Sequence, residues 1–419
     1  MTLDTELTRT TALVRTAGAC WGWVDGRDES QLALWSPQQR RLHLLNATAA
    51  AAWELVGQPL LIDDLVDGLA QTYQVSAEVV RADIEPVLHG LVAAGLLRDS
   101  DSPEHAGPPR PINLAQANER PLRSRTGNSG STTIGPIRAL DCPMLVDVHD
   151  PELFDALVPI LDPLLDSEID LRDDETCIRL SVRPQGSGWA VERNGVAATR
   201  AVGRGRALRA VLGEVNSAPL HERTNRVVLH SAGIEFGAAQ RGSIVLFPGI
   251  SNSGKSTLAA QLVVRGHGYI TDEALAITCG STWAQPFHKA LCIEPSGHHA
   301  VANLEAAATQ PRLSNTWDID PRKLGGGYLS NGGEISSVVF PTYTEGAETA
   351  LCVIEPLDAL QRLIANAFDF TSAGPRAFET LLDIANNIPA YTLIHGGDGS
   401  QIEVLEATFG SSAQKPVAP

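Results

Sequence analysis

The sequence lacks any apolar run approaching the roughly 20 residues a membrane-crossing helix needs. Ala47 to Leu55 is apolar but short, and Glu54 interrupts it. Met1 to Arg15 is polar and mixed in charge, without the apolar core of a signal peptide. These absences point to the cytoplasm and away from a membrane partner. Basic residues are scarce: 32 Lys and Arg stand against 49 Asp and Glu, a formal net charge of -17. Such a surface repels nucleic-acid backbones and anionic lipid, so no nucleic-acid partner is expected. Paired cysteines are lacking too. Cys20, Cys142, Cys177, Cys279, Cys292 and Cys352 show no C-x-x-C spacing, which argues against a zinc or redox motif. They read as buried thiols in a reducing compartment.

What remains is ordinary for a globular protein: 43% hydrophobic and 19% charged residues over 419 positions, enough for two or three domains. The first segment spans 17–99. Leu32-Ala33-Leu34-Trp35 and Arg41-Leu42-His43-Leu44-Leu45 read as strands around a Ser36-Pro37 turn. Asn46 can cap a helix over Ala47–Leu55. Apolar spacing predicts two more helices, Ile62–Tyr73 and Ala77–Ala94, with a kink or boundary at Pro86 and a stop at Gly95. A hairpin followed by three short helices is a winged-helix-like α+β arrangement, here without a basic recognition helix.

Residues 100–137 read as a flexible linker rich in Pro, Gly and Ser, without apolar periodicity. Residues 138–408 alternate strand-like and helical stretches, as expected of an α/β domain with its nucleotide core at 227–280. A frayed tail, 409–419, follows. In the core, the apolar strand Ser243–Phe247 leads into Pro248-Gly249-Ile250-Ser251-Asn252-Ser253-Gly254-Lys255-Ser256-Thr257. A helix marked by Leu258, Leu262 and Val263 follows. This is G-x-x-x-x-G-K-[ST] between strand and helix, the P-loop (Walker A) context. Gly249 and Gly254 allow backbone conformations closed to other residues. Amides from Gly249 to Thr257 then converge on phosphate oxygens at a helix N-terminus. Lys255 is expected to reach the β- and γ-phosphates of ATP, and Ser256 to ligate Mg²⁺. His230 is expected at the end of the strand Val227-Val228-Leu229. Asp272 and Glu273 are expected at the end of a strand after the helix, one to hold Mg²⁺ and one to accept a hydroxyl proton.

Two family resemblances follow. Leu42–Ala49, Trp53-Glu54-Leu55 and Gly90–Leu97 resemble the PqqD family, which implies a module that binds the leader of a ribosomally made precursor peptide, with the peptide adding as a strand to the hairpin edge. His230-Ser231-Ala232-Gly233-Ile234, the P-loop, Arg265-Gly266-His267, Asp272-Glu273, Val338–Pro341, Tyr343, Gly346-Ala347 and Glu355-Pro356-Leu357 resemble HPr kinase/phosphorylase and its HprK-related relatives. That resemblance is tightest over Val227–Ile277. It implies an α/β P-loop kinase domain of HPr kinase type, with Asp272 as base toward a serine hydroxyl, His230 near the transferred phosphate, and Ser256 with an acidic neighbour, Glu273, on the metal. Those kinases are oligomeric, so a homo-oligomer is compatible with it. The family's paired aspartates are Asp272-Glu273 here. Its glycine- and arginine-rich signature is replaced by Pro286-Phe287-His288-Lys289 through Gly297-His298-His299. HPr itself is therefore not the expected substrate.

The combined reading is an ATP-dependent kinase acting on a Ser or Thr hydroxyl of a peptide. A small-molecule kinase and a nucleotide-binding assembly protein of little turnover remain alternatives. Lys289 reads as exposed, His298-His299 as loop residues and His267 as structural. Ala359–Phe368 reads as a core helix. The stretch of Arg322-Lys323, Gly325-Gly326-Gly327 and Gly332-Gly333 reads as either a lid over phosphates or a surface loop.

Overall fold

The computed structural model describes residues 7, 10–26, 30–102, 131–169, 177–221, 225–237, 242–250, 253–309, 313–368, 370 and 374–410. The fold is mixed α/β and divides into two compact units. The first unit joins the front of the chain to Glu355–Ile364 and Asp369–Asn386. The second holds the rest, including the short excursion Ala365–Phe368. The expected rear domain 138–408 is therefore interrupted: two of its helical segments belong to the front unit. Among the described residues no helix is long and apolar enough to cross a membrane.

In the first unit, β1 (Ala12–Arg15) pairs with β5 (Leu60–Leu61) and β6 (Leu97–Asp99). A second sheet orders β2 (Cys20–Val24), β3 (Gln31–Ser36) and β4 (Arg41–Leu45). Helices α1 (Ala47–Leu55), α2 (Ile62–Tyr73) and α3 (Ala77–Ala93) build a core around the fully buried Trp53. The Asn46 side chain accepts from the Ala49 amide at 2.9 Å, the expected cap. Gly95 takes a φ of +67° where any Cβ would collide with the Gln38 side chain. Two expectations change. The module starts before residue 17, because Arg15 donates to the Trp53 carbonyl at 2.7 Å and stacks over Trp21 and Trp53. And α3 continues through Pro86, since the stripe Val80, Ile84, Leu88 and Leu91 is buried on both sides of it.

The helices Pro356–Ala365 and Pro375–Asn387 join this unit, and the second packs on the β2–β4 sheet. Leu382 reaches so close to Gly22 that a Cβ there would meet it at 2.2 Å, and Phe370 packs edge-on against Trp35. The Asn386 amide donates to the Trp23 carbonyl at 2.9 Å and accepts from the Asp25 N–H at 3.1 Å. It thereby occupies backbone groups at the end of β2. On β4 the ladder leads to β3 alone among the described residues. A groove of about 420 Å³ lies beside it, lined by Trp23, Gln31, Leu44, Asn46, Ala50 and Glu54 among others.

The second unit begins with a five-stranded sheet of β7 (Thr132–Ala139), β8 (Cys142–Val148), β9 (Ile178–Gln185), β10 (Gly188–Arg193) and β11 (Val196–Ala201). Helices α4 (Pro151–Leu161) and α5 (Arg204–His221) pack on it. Residues 103–130 of the expected linker lie outside the described residues. Residues 132–137 are strand rather than tether, because Ile134 and Ile137 are buried in the sheet's core.

The larger sheet is built on the long strand β12 (Arg226–Phe236). Its second half pairs antiparallel with β13 (Ser243–Pro248) on one side and β14 (Gly268–Thr271) on the other. Its first half pairs with β15 (Ala274–Thr278) and with Ala367-Phe368. The expected helix over Ala359–Phe368 thus stops at Ala365, and its last residues become a bridge strand. Beyond β13 lie two further strands parallel to it, Gly333–Tyr343 and then Ala390–His395. The strands β13, β14, Gly333–Tyr343 and Ala390–His395 all run in one direction and deliver Pro248, Thr271, Tyr343 and His395 to one edge. α6 (Lys255–Val264) follows β13 and buries Leu258, Ala259, Leu262 and Val263 against this sheet. Part of the expected tail is ordered: the last helix runs to Phe409, which packs on Phe236 and Tyr391. Residues 411–419 lie outside the described residues.

Candidate functional site

The carboxyl edge of this sheet gathers the residues singled out in the sequence. β13 ends at Pro248, and the glycine loop returns into α6 at Lys255. Gly254 adopts φ +88°, a conformation that favours glycine. Gly249 does not need a positive φ; it is small because a Cβ would stand 2.6 Å from the Ser253 hydroxyl. Ser251 and Asn252 lie outside the described residues. The free amides of the first turn of α6, at Lys255, Ser256 and Thr257, make an anion-attracting helix start. Lys255 is 5% exposed, and its ammonium donates to the Ile250 carbonyl at 2.8 Å. Burial pulls its pKa down to about 8, against the opposing pull of Asp272 and Glu273. The loop's own carbonyl is thus the partner an anion would replace.

β12 holds two flanking groups in register with the loop. The Gly249 amide donates to the His230 carbonyl at 3.1 Å, and the Ser231 amide donates to the Glu273 carbonyl at 3.0 Å. His230 lies within β12 rather than at its end, because Ser231–Phe236 continue the ladder against β13. Its own amide donates to the Asn366 carbonyl at 2.7 Å, and its ring packs 5.4 Å from Phe368. Burial, then Lys255, lower its pKa and favour the neutral ring.

Asp272 and Glu273 form a bend between β14 and β15, and both carboxylates reach the Lys289 ammonium, at 2.6 and 3.5 Å. Asp272 turns inward and is 2% exposed. Lys289 Nζ lies 2.6 Å from its Oδ1, the Tyr269 hydroxyl lies 3.0 Å from the same atom, and the Cys292 N–H donates to Oδ2 at 3.1 Å. Burial alone would raise its pKa; Lys289, the Cys292 amide and a hydrogen bond from Ser256 outweigh this and hold it below the usual carboxylate range. Lys289, the Cys292 amide and Ser256, with the Tyr269 hydroxyl shared between Oδ1 and the Lys289 carbonyl at 3.0 Å each, leave this carboxylate little lone-pair capacity for an incoming hydroxyl. Glu273 is the more open of the two carboxylates, with its side chain 40% exposed and 3.5 Å from Lys289.

Lys289 corrects a second expectation. It is 5% exposed, not a surface lysine, and its ammonium also donates to the Ala290 carbonyl at 3.1 Å. Burial opposes its charge, but Asp272 and Glu273 prevail and raise its pKa. Nothing in its own sequence neighbourhood marks it except an isolated lysine ahead of the apolar Ala290–Ile293. The stretch beyond it turns back to the loop helix: a Cβ on Gly297 would stand 2.6 Å from the Thr257 hydroxyl.

Other expectations resolve simply. His267 lies 3.2 Å from Glu406 and packs tilted against Phe236, a structural role. His298 stacks on Trp317 at 3.9 Å in a 3-10 segment rather than a free loop. The glycine stretch 325–327 is no phosphate lid. Gly326 and Gly327 pack on Val263 and Val264, at the far end of α6 from Lys255. Arg322 is tied to Asp320 and Asp162.

The sequence reading missed His395, whose strand leads into the glycine-rich run Gly396-Gly397-Asp398-Gly399, the same strand-then-glycine pattern as β13. It is 4% exposed, and neither ring nitrogen has a hydrogen-bond partner among the described residues.

Mg²⁺ takes oxygen ligands. The Ser256 hydroxyl, bonded to Asp272, and the exposed Glu273 carboxylate are such donors. Among the described residues no group of three or more His, Cys, Asp or Glu could hold a metal by itself. These two oxygen donors, the Ser256 hydroxyl and the Glu273 carboxylate, fit a Mg²⁺ ion.

No curated protein matches the chain. Residues 31–97 match the family described as Coenzyme PQQ synthesis protein D (PqqD), which places a PqqD domain over β3 to β6 of the first unit.

Proposed function

We propose that this protein is an ATP-dependent kinase of HPr kinase type that phosphorylates a Ser or Thr hydroxyl on a ribosomally made precursor peptide. The PqqD domain supports a role in peptide modification. The kinase part rests chiefly on one observation: the G-x-x-x-x-G-K-[ST] loop and an acidic pair meet across β12, with Gly249 bonded to His230 and Glu273 to Ser231.

In this reading the leader adds as a strand to β4, since the opposite face and the end of β2 are already occupied by Leu382 and Asn386. The groove beside Leu44 and Trp23 offers apolar contact for its side chains. The loop amides and Lys255 hold the β- and γ-phosphates. The Ser256 hydroxyl would hold Mg²⁺ together with the phosphates, and the ion would supply charge neutralisation along them. Asp272 keeps Ser256 and Lys289 in position. Glu273, with the neutral His230 ring close by, orients the acceptor hydroxyl and takes its proton. Lys289 holds positive charge where the transferred group gains negative charge. Catalysis then rests on positioning and on fixed charge, as phosphoryl transfer requires.

The test uses the full chain, Mg²⁺, γ-labelled ATP and a hydroxyl-bearing precursor peptide encoded beside the gene. The expected result is label on the peptide, loss of labelling in Lys255→Ala, and competition by excess free leader. Nucleotide binding without label on any such peptide would refute the kinase reading. Labelling insensitive to free leader would refute recruitment by the PqqD domain.

A further inference from the structure

The two flanks of the glycine loop differ in chemistry. On the β14 flank stand the charged groups Asp272, Glu273 and Lys289. On the other flank, beyond the end of β13, stand Tyr343 and His395, paired across their parallel strands. His395 is almost fully buried, yet both ring nitrogens lack partners among the described residues. A buried polar group without a partner costs about 1–3 kcal/mol, so it calls for a ligand or another explanation. The ring edge is aimed at the loop: Cε1 and Nε2 lie 3.7 Å from where a Cβ on Gly254 would stand. Tyr343 sits next to it, with ring centroids 5.7 Å apart, and remains 42% exposed. Gly397 at φ +79° passes close under the Tyr343 ring, where a Cβ would be 3.1 Å away.

We propose that Tyr343 and His395 form the nucleoside end of the site, with the Tyr343 ring as a stacking face for the base and a His395 ring nitrogen as its hydrogen-bond partner. This rests on the reading of the glycine loop as a nucleoside triphosphate site. A phosphate chain needs cations and amides, and this flank offers a neutral imidazole and an aromatic ring, which suit a base. Burial also lowers the His395 pKa, so the ring is neutral when it meets the ligand. The direction of the nucleotide follows: the transferable phosphate lies toward Glu273, and the nucleoside lies across Gly254 toward Tyr343.

The test measures binding of Mg-ATP and of inorganic tripolyphosphate to the full chain by calorimetry. Tyr343→Ala and His395→Ala are each expected to weaken ATP about tenfold and leave tripolyphosphate unchanged, as stacking and hydrogen-bond losses of this kind do. His395→Gln, which keeps a donor, is expected to recover part of the loss. Lys255→Ala should weaken both ligands. If wild type binds ATP and both alanine variants bind it equally well, or if they lose both ligands alike while remaining folded by circular dichroism, the assignment is wrong. If wild type binds neither ligand, the glycine-loop reading itself fails.

Discussion

The β14 flank and the His395 flank lie on either side of one strand, β13, and solve burial in opposite ways. On the first, every buried charge is answered: Asp272 by Lys289, Tyr269 and the Cys292 amide, and Lys289 by Asp272 and Glu273. On the second, His395 is buried as deeply, with both nitrogens open. A saturated network fixes geometry and leaves one outward group, Glu273, to act. An open buried group keeps its bonding capacity for something that arrives. Under the proposed function, the first flank would serve phosphoryl transfer and the second would recognise the nucleoside.

Four changes break or sharpen this contrast, taken from the largest effect down. Glu273→Gln should lower the phosphoryl-transfer rate by about 10²–10⁴-fold with little change in thermal stability, measured by single-turnover labelling. An unchanged rate would return the base role to Asp272. Lys289→Met leaves Asp272 buried without its cation and should destabilise the second unit by about 3–5 kcal/mol, read by denaturant unfolding. The double variant Lys289→Met with Asp272→Leu should recover much of that, because no charge is then stranded.

The third concerns Lys255. Its folded pKa of about 8 lies below its ordinary 10.5, so the unfolded chain binds more protons between these values. Stability therefore rises with pH across that window, and the penalty is fully present below it. ATP reverses the shift by restoring charge to the ammonium. Affinity for ATP should fall as pH rises past about 8, by up to about tenfold per unit, and the chain should take up a proton on binding. Calorimetry in buffers of different ionisation enthalpy measures the uptake, and Lys255→Arg should abolish it. The smallest effect is His395→Leu, which removes an unsatisfied buried group. It should stabilise the protein by about 1 kcal/mol, whereas Lys289→Met alone should not. Destabilisation comparable to that of Lys289→Met would mean His395 is structural.

The sequence made some of this legible and not the rest, for physical reasons. The Asn46 cap, the three helices of the PqqD domain and the strand–loop–helix around Lys255 are local: each is decided by residues within a turn or two of one another. Asp272 and Glu273 could be located but not assigned, since which acid points inward depends on the interruption between β14 and β15. Lys289 was unreadable because a lysine's burial depends on an acid that the fold brings to it from another strand. His395 was unreadable because the β13 neighbour order, through Gly333–Tyr343, is a tertiary fact. The apolar stripe of Pro375–Asn387 announces that something covers it but not that it is the β2–β4 sheet. Ile134 and Ile137, two buried residues among Thr, Gly and Pro, were too few to show a period, so a strand read as a tether.

Under the proposed function, one sheet edge holds a nucleoside triphosphate in one direction. A crystal structure of the full chain with Mg²⁺ and a non-hydrolysable ATP analogue tests it most directly. The β-phosphate is expected against the amides of Gly254–Ser256, the γ-phosphate toward Glu273 and the base beside Tyr343. A nucleotide lying in the reverse sense, or bound away from Lys255, would contradict it.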